Sequence, residues 1–119
     1  MNIYLDSKKI NITVKKLNFL GRFSGLMFKS EKIRNLLFDF YYPRKWAIHS
    51  YFVFFDFLAV WLDEKNRVME TRIVKPWTFS VKPEKKFKKL IEIPCNSRNT
   101  KIIGFLVGKK KHLNRELIN

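Results

Sequence analysis

The sequence predicts an all-β fold with minor α content, built as a single-domain antiparallel β-sandwich or small barrel. Short runs of alternating apolar and polar residues recur along the chain, and polar turn segments separate them. Aromatic residues make up 16% of the 119 residues, which supplies bulk for a core. We predict one domain over 1–119, with a core from about 2 to 107 and a basic tail over 108–119.

Two strands and a short helical segment are predicted in the first part of the chain. Apolar residues alternate in 2–6 (NIYLD) and 10–14 (INITV), on either side of a turn at Ser7-Lys8-Lys9. The following stretch changes period, because its apolar residues recur at helical spacing. These residues are Leu17, Leu20, Phe23 and Met27. We therefore expect a short helical segment near 17–28.

The middle of the chain is predicted to contain its longest strand. Residues 35–40 (NLLFDF) alternate as a strand, and 41–46 (YYPRKW) are expected to form a turn or loop because Pro43 disfavours a central strand. Residues 47–55 then resemble one long strand that is apolar on both faces. In such a strand His49 and Ser50 would point to opposite sides, so they could not form a catalytic pair.

A hairpin and two further strands complete the prediction. Residues 57–62 and 68–74 flank a polar turn in which Asn66 is the expected left-handed residue. Pro76 then interrupts the chain. Residues 90–94 (LIEIP) are expected to form a strand with Glu92 pointing outward, and 101–107 (KIIGFLV) the last strand.

The net charge of +15 favours binding to a polyanionic partner, either nucleic acid or an acidic protein, and this is one interpretation of the charge. An A/T-rich genome or adaptation to heat would also raise the lysine content without any such partner. In residues 82–89, lysines surround Phe87, which is expected to be exposed. This pattern is typical of nucleic-acid binding in which lysines contact phosphates and an aromatic ring stacks on a base. The nucleic-acid-binding candidates are Lys82, Lys85, Lys86, Phe87, Lys88, Lys89, Lys109, Lys110 and Lys111.

Cysteine and histidine are too few for a recognisable metal or disulfide framework. Cys95 is the one cysteine and there are two histidines, with no paired metal-ligand spacing, so no metal and no cofactor is expected. The N-terminus has no signal-peptide pattern and no apolar stretch is long enough to span a bilayer. A soluble, cytoplasmic protein is expected.

Six short motifs occur in an order that resembles one protein family. They are GLMF (25–28), NLLFDF (35–40), IHSYFVFF (48–55), VWLDEKNRV (60–68), KPW (75–77) and LIEIPCN (90–96). The family is the uncharacterised domain of unknown function 192, and the resemblance covers about 17–107. It implies a compact β-rich sandwich or barrel and leaves the activity open.

A binding site is predicted where the GLMF segment, His49 and the KPW segment converge. Trp77 directly follows a break at Pro76, a place where a strand core does not require an indole ring, so it can pack over the barrel mouth or stack on a ligand. The ligand-binding candidates are Arg22, Met27, His49, Lys75 and Trp77. A non-catalytic binding module is the first hypothesis. Nucleic-acid association and an enzyme with an unrecognised site are the alternatives.

Overall fold

The computed structural model describes residues 1–17 and 26–108, and these residues form two β-sheets and one α-helix. The predicted class, all-β with minor α, is confirmed. The strands are β1 (Asn2–Leu5), β2 (Lys8–Asn11), β3 (Lys15–Leu17), β4 (Leu36–Arg44), β5 (Phe57–Leu62), β6 (Val68–Val74) and β7 (Phe87–Pro94). A 3-10 turn (Ser97–Asn99) leads into the helix α1 (Thr100–Val107).

Strands β3 to β7 form a five-stranded sheet in the order β3-β4-β7-β5-β6, and β1 and β2 form a separate hairpin. β7 is the central strand and runs antiparallel to both neighbours. β3 is parallel to β4, and the other pairs in the large sheet are antiparallel. The central position of β7 explains why it is buried along nearly its whole length.

Each face of the large sheet carries its own apolar core, because alternate residues of a strand point to opposite sides. β5 shows the division most clearly, since all six of its residues are buried. Its residues Phe57, Ala59 and Trp61 enter the first core, on the face covered by the long loops. Its residues Leu58, Val60 and Leu62 enter the second core, against the hairpin and α1.

The predicted long strand over 47–55 is wrong. These residues form an irregular loop with an isolated bridge between Ile48 and Val81, followed by a turn at Tyr51 and Phe52. Aromatic and β-branched residues favour strands, but here the backbone groups of Ser50 bond to the 76–78 loop and not to a neighbouring strand. The outward course of this loop exposes rings that a buried strand would have hidden.

The predicted last strand over 101–107 is also wrong, because these residues form α1. Its buried positions Ile103 and Leu106 are three residues apart, which places them on one helical face against the second core. A short apolar run fits both a buried strand and a helix, so the pattern alone did not decide between them.

Two smaller expectations are corrected as well. β4 continues through Pro43 to Arg44, beyond the residues that pair with β3. Pro43 lies in the stretch between Asp39 and Arg44 in which the pairing with β7 is irregular, a place where a missing N–H is tolerated. Glu92 is fully buried between Leu36 and Ala59 on the first face. The expectation that Glu92 points outward assumed a strand with one face in solvent. β7 is the central strand and both of its faces are covered.

The hairpin predictions are confirmed. β1 and β2 pair in antiparallel register around a turn at Asp6 and Ser7, one residue earlier than expected. β5 and β6 pair around a turn in which Asn66 has a positive φ of 64°. The helical segment predicted near 17–28 falls mostly outside the described residues, and Leu26–Phe28 form a turn.

No helix within residues 1–17 and 26–108 is long and apolar enough to cross a membrane.

Candidate functional site: an exposed aromatic surface

Three loops on the first face bring a group of aromatic rings together, which we call the aromatic surface. Its members are Phe28, His49, Tyr51, Phe52, Phe54, Trp77 and Phe79. The loops are separated in sequence, so the convergence is a product of the tertiary fold.

The rings form one connected set of contacts. Phe28 stacks on Phe52 with ring centroids 4.8 Å apart, and Phe52 meets Trp77 edge-on at 4.8 Å. Trp77 also contacts Phe54 at 6.1 Å and Tyr51 at 6.3 Å. These distances lie in the range in which offset and edge-to-face pairs attract one another. Trp77 is therefore the centre of the surface.

Two further rings extend the surface from Tyr51. Tyr51 meets Phe79 edge-on at 5.5 Å and lies 4.3 Å from the imidazole of His49. His49 and Tyr51 are half-buried and form the inner border.

Much of this apolar area faces solvent. The exposed fractions are 67% for Phe28, 41% for Phe52, 61% for Phe54, 47% for Trp77 and 78% for Phe79. Single exposed apolar side chains are common on folded proteins, but contiguous exposed groups mark contact sites. Five such rings in one chain of contacts are thus a candidate interaction site.

Three of the rings stand on turns with left-handed backbone. Phe28, Phe52 and Trp77 have φ values of 60°, 59° and 59°. In the turns 26–29 and 50–53 the first residue's carbonyl accepts from the fourth residue's N–H, at 3.1 Å and 3.2 Å, and the aromatic residue is third. That position of a turn ordinarily takes Gly, because a bulky residue there costs about 1–3 kcal/mol.

The third turn, 75–78, is held by a buried serine. The Ser50 hydroxyl donates to the carbonyl of Lys75 at 2.6 Å and accepts from the N–H of Thr78 at 2.6 Å. The N–H of Trp77 donates to the carbonyl of Ser50 at 2.9 Å, and the N–H of Ser50 donates to the carbonyl of Thr78 at 3.0 Å. Ser50 is fully buried, so it fixes the two loops to one another and holds Trp77 outward.

His49 has a structural partner beside the aromatic surface. Its Nδ1 accepts a hydrogen bond from the N–H of Tyr51 at 3.3 Å, which requires the unprotonated nitrogen. Burial lowers the pKa of His49 below its usual value of 6.5, because the cationic form is the one that loses hydration. The imidazole is thus held neutral near pH 7.

The structure brings only some of the predicted ligand-binding residues together. His49 and Trp77 belong to the aromatic surface, linked through Tyr51. Met27 packs against the first core, and Lys75 makes an ion pair with Asp56 at 2.8 Å. Arg22 lies outside the described residues.

Sequence reasoning missed three of the exposed rings of the aromatic surface. Phe52 and Phe54 were assigned to a buried strand, and Phe79 was not singled out. An available signal was the spacing of three aromatic-rich segments around chain breaks, of which only the one after Pro76 was used.

The lysine-rich segment differs from the prediction in one decisive respect. Phe87 is buried in the first core, so it cannot stack on a base. Lys88 pairs with Asp39 at 2.6 Å, and Lys89 donates to Asn66 Oδ1 at 2.5 Å. The exposed members of this segment are Lys82, Lys85 and Lys86, while Lys109, Lys110 and Lys111 lie outside the described residues.

Two observations bear on other kinds of site. In the described ranges, 1–17 and 26–108, no group of three or more His, Cys, Asp or Glu residues is placed to hold a metal ion. A cavity of about 790 Å³ lies between the β1–β2 turn and α1, lined by Leu5, Phe105 and their neighbours. The aromatic surface contributes nothing to that lining.

Comparisons with known proteins identify the fold and go no further. No protein-family model and no curated protein matches the sequence. A crystallised protein of Sinorhizobium meliloti, described as a "putative transcription regulator", is similar with a TM-score of 0.65 and 14% identity, over 87% of this chain and 83% of that one. A protein of unknown function from Novosphingobium aromaticivorans is similar with a TM-score of 0.63 and 12% identity, over 85% of this chain and 75% of that one.

Proposed function

We propose that this β-rich domain is a non-catalytic binding module whose contact site is the aromatic surface. The partner we propose is a protein segment that presents apolar side chains. One observation carries the proposal: three turns place Phe28, Phe52 and Trp77 at left-handed positions, with their rings exposed and in contact.

Physical chemistry supports a recognition role for such a surface. Exposed aromatic rings with few rotatable bonds lose little conformational entropy on binding, and they dominate the energetics of many protein interfaces. Backbone strain persists when the surrounding structure enforces it, and it is concentrated at functional sites. Gly at the same positions would relieve the strain, because it adopts positive φ without a steric cost.

The chemistry of the polar residues nearby favours binding over catalysis. The Ser50 hydroxyl is buried and already donates and accepts one hydrogen bond each, to Lys75 and from Thr78. The His49 Nδ1 is occupied by the N–H of Tyr51. Neither group is presented as a nucleophile and base pair of the kind that hydrolysis needs.

The proposal is tested by selecting ligands from a displayed peptide library and then measuring their affinity for matched variants. Phe54→Ser and Phe79→Ser each remove an exposed ring from the aromatic surface. We expect each to raise the Kd of a selected peptide about 30-fold, the effect of losing one interface hot spot.

The matched control is Tyr41→Ser, since Tyr41 is 93% exposed and makes none of the ring contacts of the aromatic surface. It should leave the Kd unchanged. A library that yields no ligand, or ligands that bind the Phe54 and Phe79 variants as tightly as the wild type, would refute the proposal.

A second candidate function is association with nucleic acid, favoured by the net charge of +15 and by the exposed Lys82, Lys85 and Lys86. With Phe87 buried, the contact would be made to phosphates alone. Fluorescence anisotropy with labelled RNA or DNA should then show an affinity that falls steeply as salt rises, with little sequence preference. Absence of binding at about 20 mM salt would eliminate this candidate, since charge attraction is strongest at low ionic strength.

We also propose that the chain is a member of the family named domain of unknown function 192, on the six ordered motifs. We propose further that it acts in the cytoplasm, which is favoured by a sequence with one cysteine and hence no disulfide within the chain. An alignment of relatives should place the motifs in the same columns as that family. Fractionation of cells that express the tagged protein would test the compartment.

A further inference from the structure

The outer edge of β6 is an open strand edge. β6 is the terminal strand of the five-stranded sheet and pairs with β5 on its inner side. Within residues 1–17 and 26–108, the residues 69–74 pair with β5 alone, while β1 reaches the start of β6 through a bridge between Tyr4 and Arg67. The Glu84 N–H donates to the Glu70 carboxylate at 3.0 Å and leaves the backbone groups of this edge unpaired by strands. An edge of this length presents a row of N–H and C=O groups that another chain can pair with.

The opposite edge of the same sheet is protected, and the contrast is informative. β3 has three residues, and two of them are the exposed lysines Lys15 and Lys16. Short edges and lysine side chains are the usual means by which proteins prevent pairing between edges. β6 has seven residues and contains neither lysine nor proline, in a chain that is otherwise rich in lysine.

The sequence of β6 is complementary to itself. In an antiparallel copy centred on Thr71, Glu70 of one chain lies opposite Arg72 of the other, and Met69 lies opposite Ile73. Opposite charges, apolar pairs and threonine pairs are the cross-strand neighbours that stabilise a sheet.

The local geometry is compatible with this register. Glu70 and Arg72 lie on the same face of the sheet, opposite Trp61 and Ala59 of β5, and form an ion pair within the chain. A second strand would place the same pair of the copy directly across, so that each of the four charges has only opposite charges as its direct neighbours. A register shift marks a bulge at Met69, so residues 70–74 are the regular part of the edge, and they include the three central pairs.

We propose that β6 is a self-association edge through which two copies of this chain pair antiparallel about a two-fold axis at Thr71. The contact joins two five-stranded sheets into one of ten strands. It is independent of the aromatic surface, which other loops build.

Charge sets how this contact depends on salt. Two molecules that each carry +15 repel one another, whereas β6 itself is neutral because Glu70 balances Arg72. Added salt screens the long-range repulsion more than the short-range pairs at the contact. Dimerisation therefore strengthens from low to moderate salt, the opposite of the trend expected for binding to nucleic acid.

The decisive experiment uses charge reversal and complementation, read by sedimentation velocity and native mass spectrometry. Glu70→Arg alone and Arg72→Glu alone each place like charges opposite one another, and each should raise the dimer Kd at least about tenfold. An equal mixture of the two variants restores opposite charges at both central positions. It should form the mixed dimer with a Kd within about threefold of the wild-type value.

Neither variant can form the ion pair between residues 70 and 72 within its own chain. If dimerisation returns when the two variants are mixed, the restored attraction must therefore act between the two chains. Matched controls are Glu31→Arg and Lys101→Glu, which make the same changes in net charge at exposed positions away from β6. They should leave the Kd of the wild-type dimer within about threefold, once salt has screened net charge.

Met69→Lys is a second test that leaves Glu70 unchanged. Met69 is 37% exposed, and a lysine at this position of an edge strand disfavours pairing with another strand. The variant should give a monomer with unchanged circular dichroism. A wild type that stays monomeric at about 0.5 mM protein and 0.3 M salt, well above the Kd of weak specific contacts, would overturn the proposal. A mixture of charge variants that fails to pair would overturn it as well.

Discussion

At the scale of single residues, the aromatic surface depends on side chains that occupy backbone positions suited to glycine. Phe28, Phe52 and Trp77 each lie third in a turn with a positive φ. Ser50 complements them by anchoring the turn that carries Trp77. The rings are therefore exposed because hydrogen bonds and turn geometry hold them there, at a cost in backbone strain.

The first prediction separates this strain from the function of the ring. Phe28→Gly removes both the ring and the strain, while Phe28→Ala removes the ring and keeps much of the strain. Because Phe28 is 67% exposed, little burial is lost in either case. We expect the glycine variant to be more stable than the alanine variant by about 1 kcal/mol, from urea unfolding. Equal stabilities would show that the turn is unstrained.

The second prediction concerns pH and His49. Burial lowers the pKa of His49 in the folded protein, so the unfolded chain binds the proton more readily as the pH falls below 6.5. The free energy of unfolding therefore decreases as the pH falls from about 6.5 to the pKa of His49 in the folded protein. Protonation of the imidazole in the folded protein also removes the acceptor for the Tyr51 N–H.

Unfolding midpoints at pH 7.5 and 5.5 provide the measurement. His49→Asn should reduce the difference between the two midpoints, whereas His112→Asn, at the other histidine, should keep the wild-type difference. If both variants behave as the wild type does, His49 is not the group responsible.

At the scale of elements, the sequence was informative where one period dominated and misleading where two were possible. The β5–β6 hairpin was predictable because two alternating runs flank a polar turn with Asn66. The loop over 47–55 was not, because its aromatic residues favour a strand and no glycine marks the turn at Phe52. The same ambiguity hid Tyr51, Phe52 and Phe54 of the aromatic surface, whereas His49 and Trp77 were named as ligand-binding residues and Phe28 was included through the GLMF segment.

The third prediction compares Gly104, inside α1, with Gly108, the residue directly after it. Gly104 lies inside the helix, and a Cβ there would meet no atom within 4 Å. Gly104→Ala should stabilise the protein by about 0.5–1 kcal/mol in urea unfolding, since alanine loses less backbone entropy in a helix. Gly108 follows the helix with φ of 87°, so Gly108→Ala should destabilise it by about 1 kcal/mol or more.

The two glycines therefore test whether 100–107 is helical. A strand over these residues would not give opposite signs for the two substitutions. If Gly104→Ala destabilises the protein as Gly108→Ala does, the helix is placed wrongly.

At the scale of the whole molecule, the two proposed contact regions lie on separate parts of one sheet. The loops over the first face carry the aromatic surface, and the terminal strand β6 carries a neutral edge. The chain as a whole bears a net charge of +15, which opposes long-range approach of two copies, whereas β6 itself is neutral. Neither region follows from composition alone, since each depends on which loops meet and which strand is last in the sheet.

The central claim is that the aromatic surface receives a partner, and the three tryptophans allow it to be tested within one spectrum. Trp77 lies at the centre of that surface, Trp61 is buried in the first core, and Trp46 is half-buried beside Phe40 and Arg44. The protein labelled with 5-fluorotryptophan gives one ¹⁹F resonance from each tryptophan. The resonance that disappears in the Trp77→Phe variant is that of Trp77. On titration with a selected peptide, we expect the Trp77 resonance to shift to saturation while the Trp61 resonance stays in place. A peptide that binds and leaves the Trp77 resonance unmoved would contradict it.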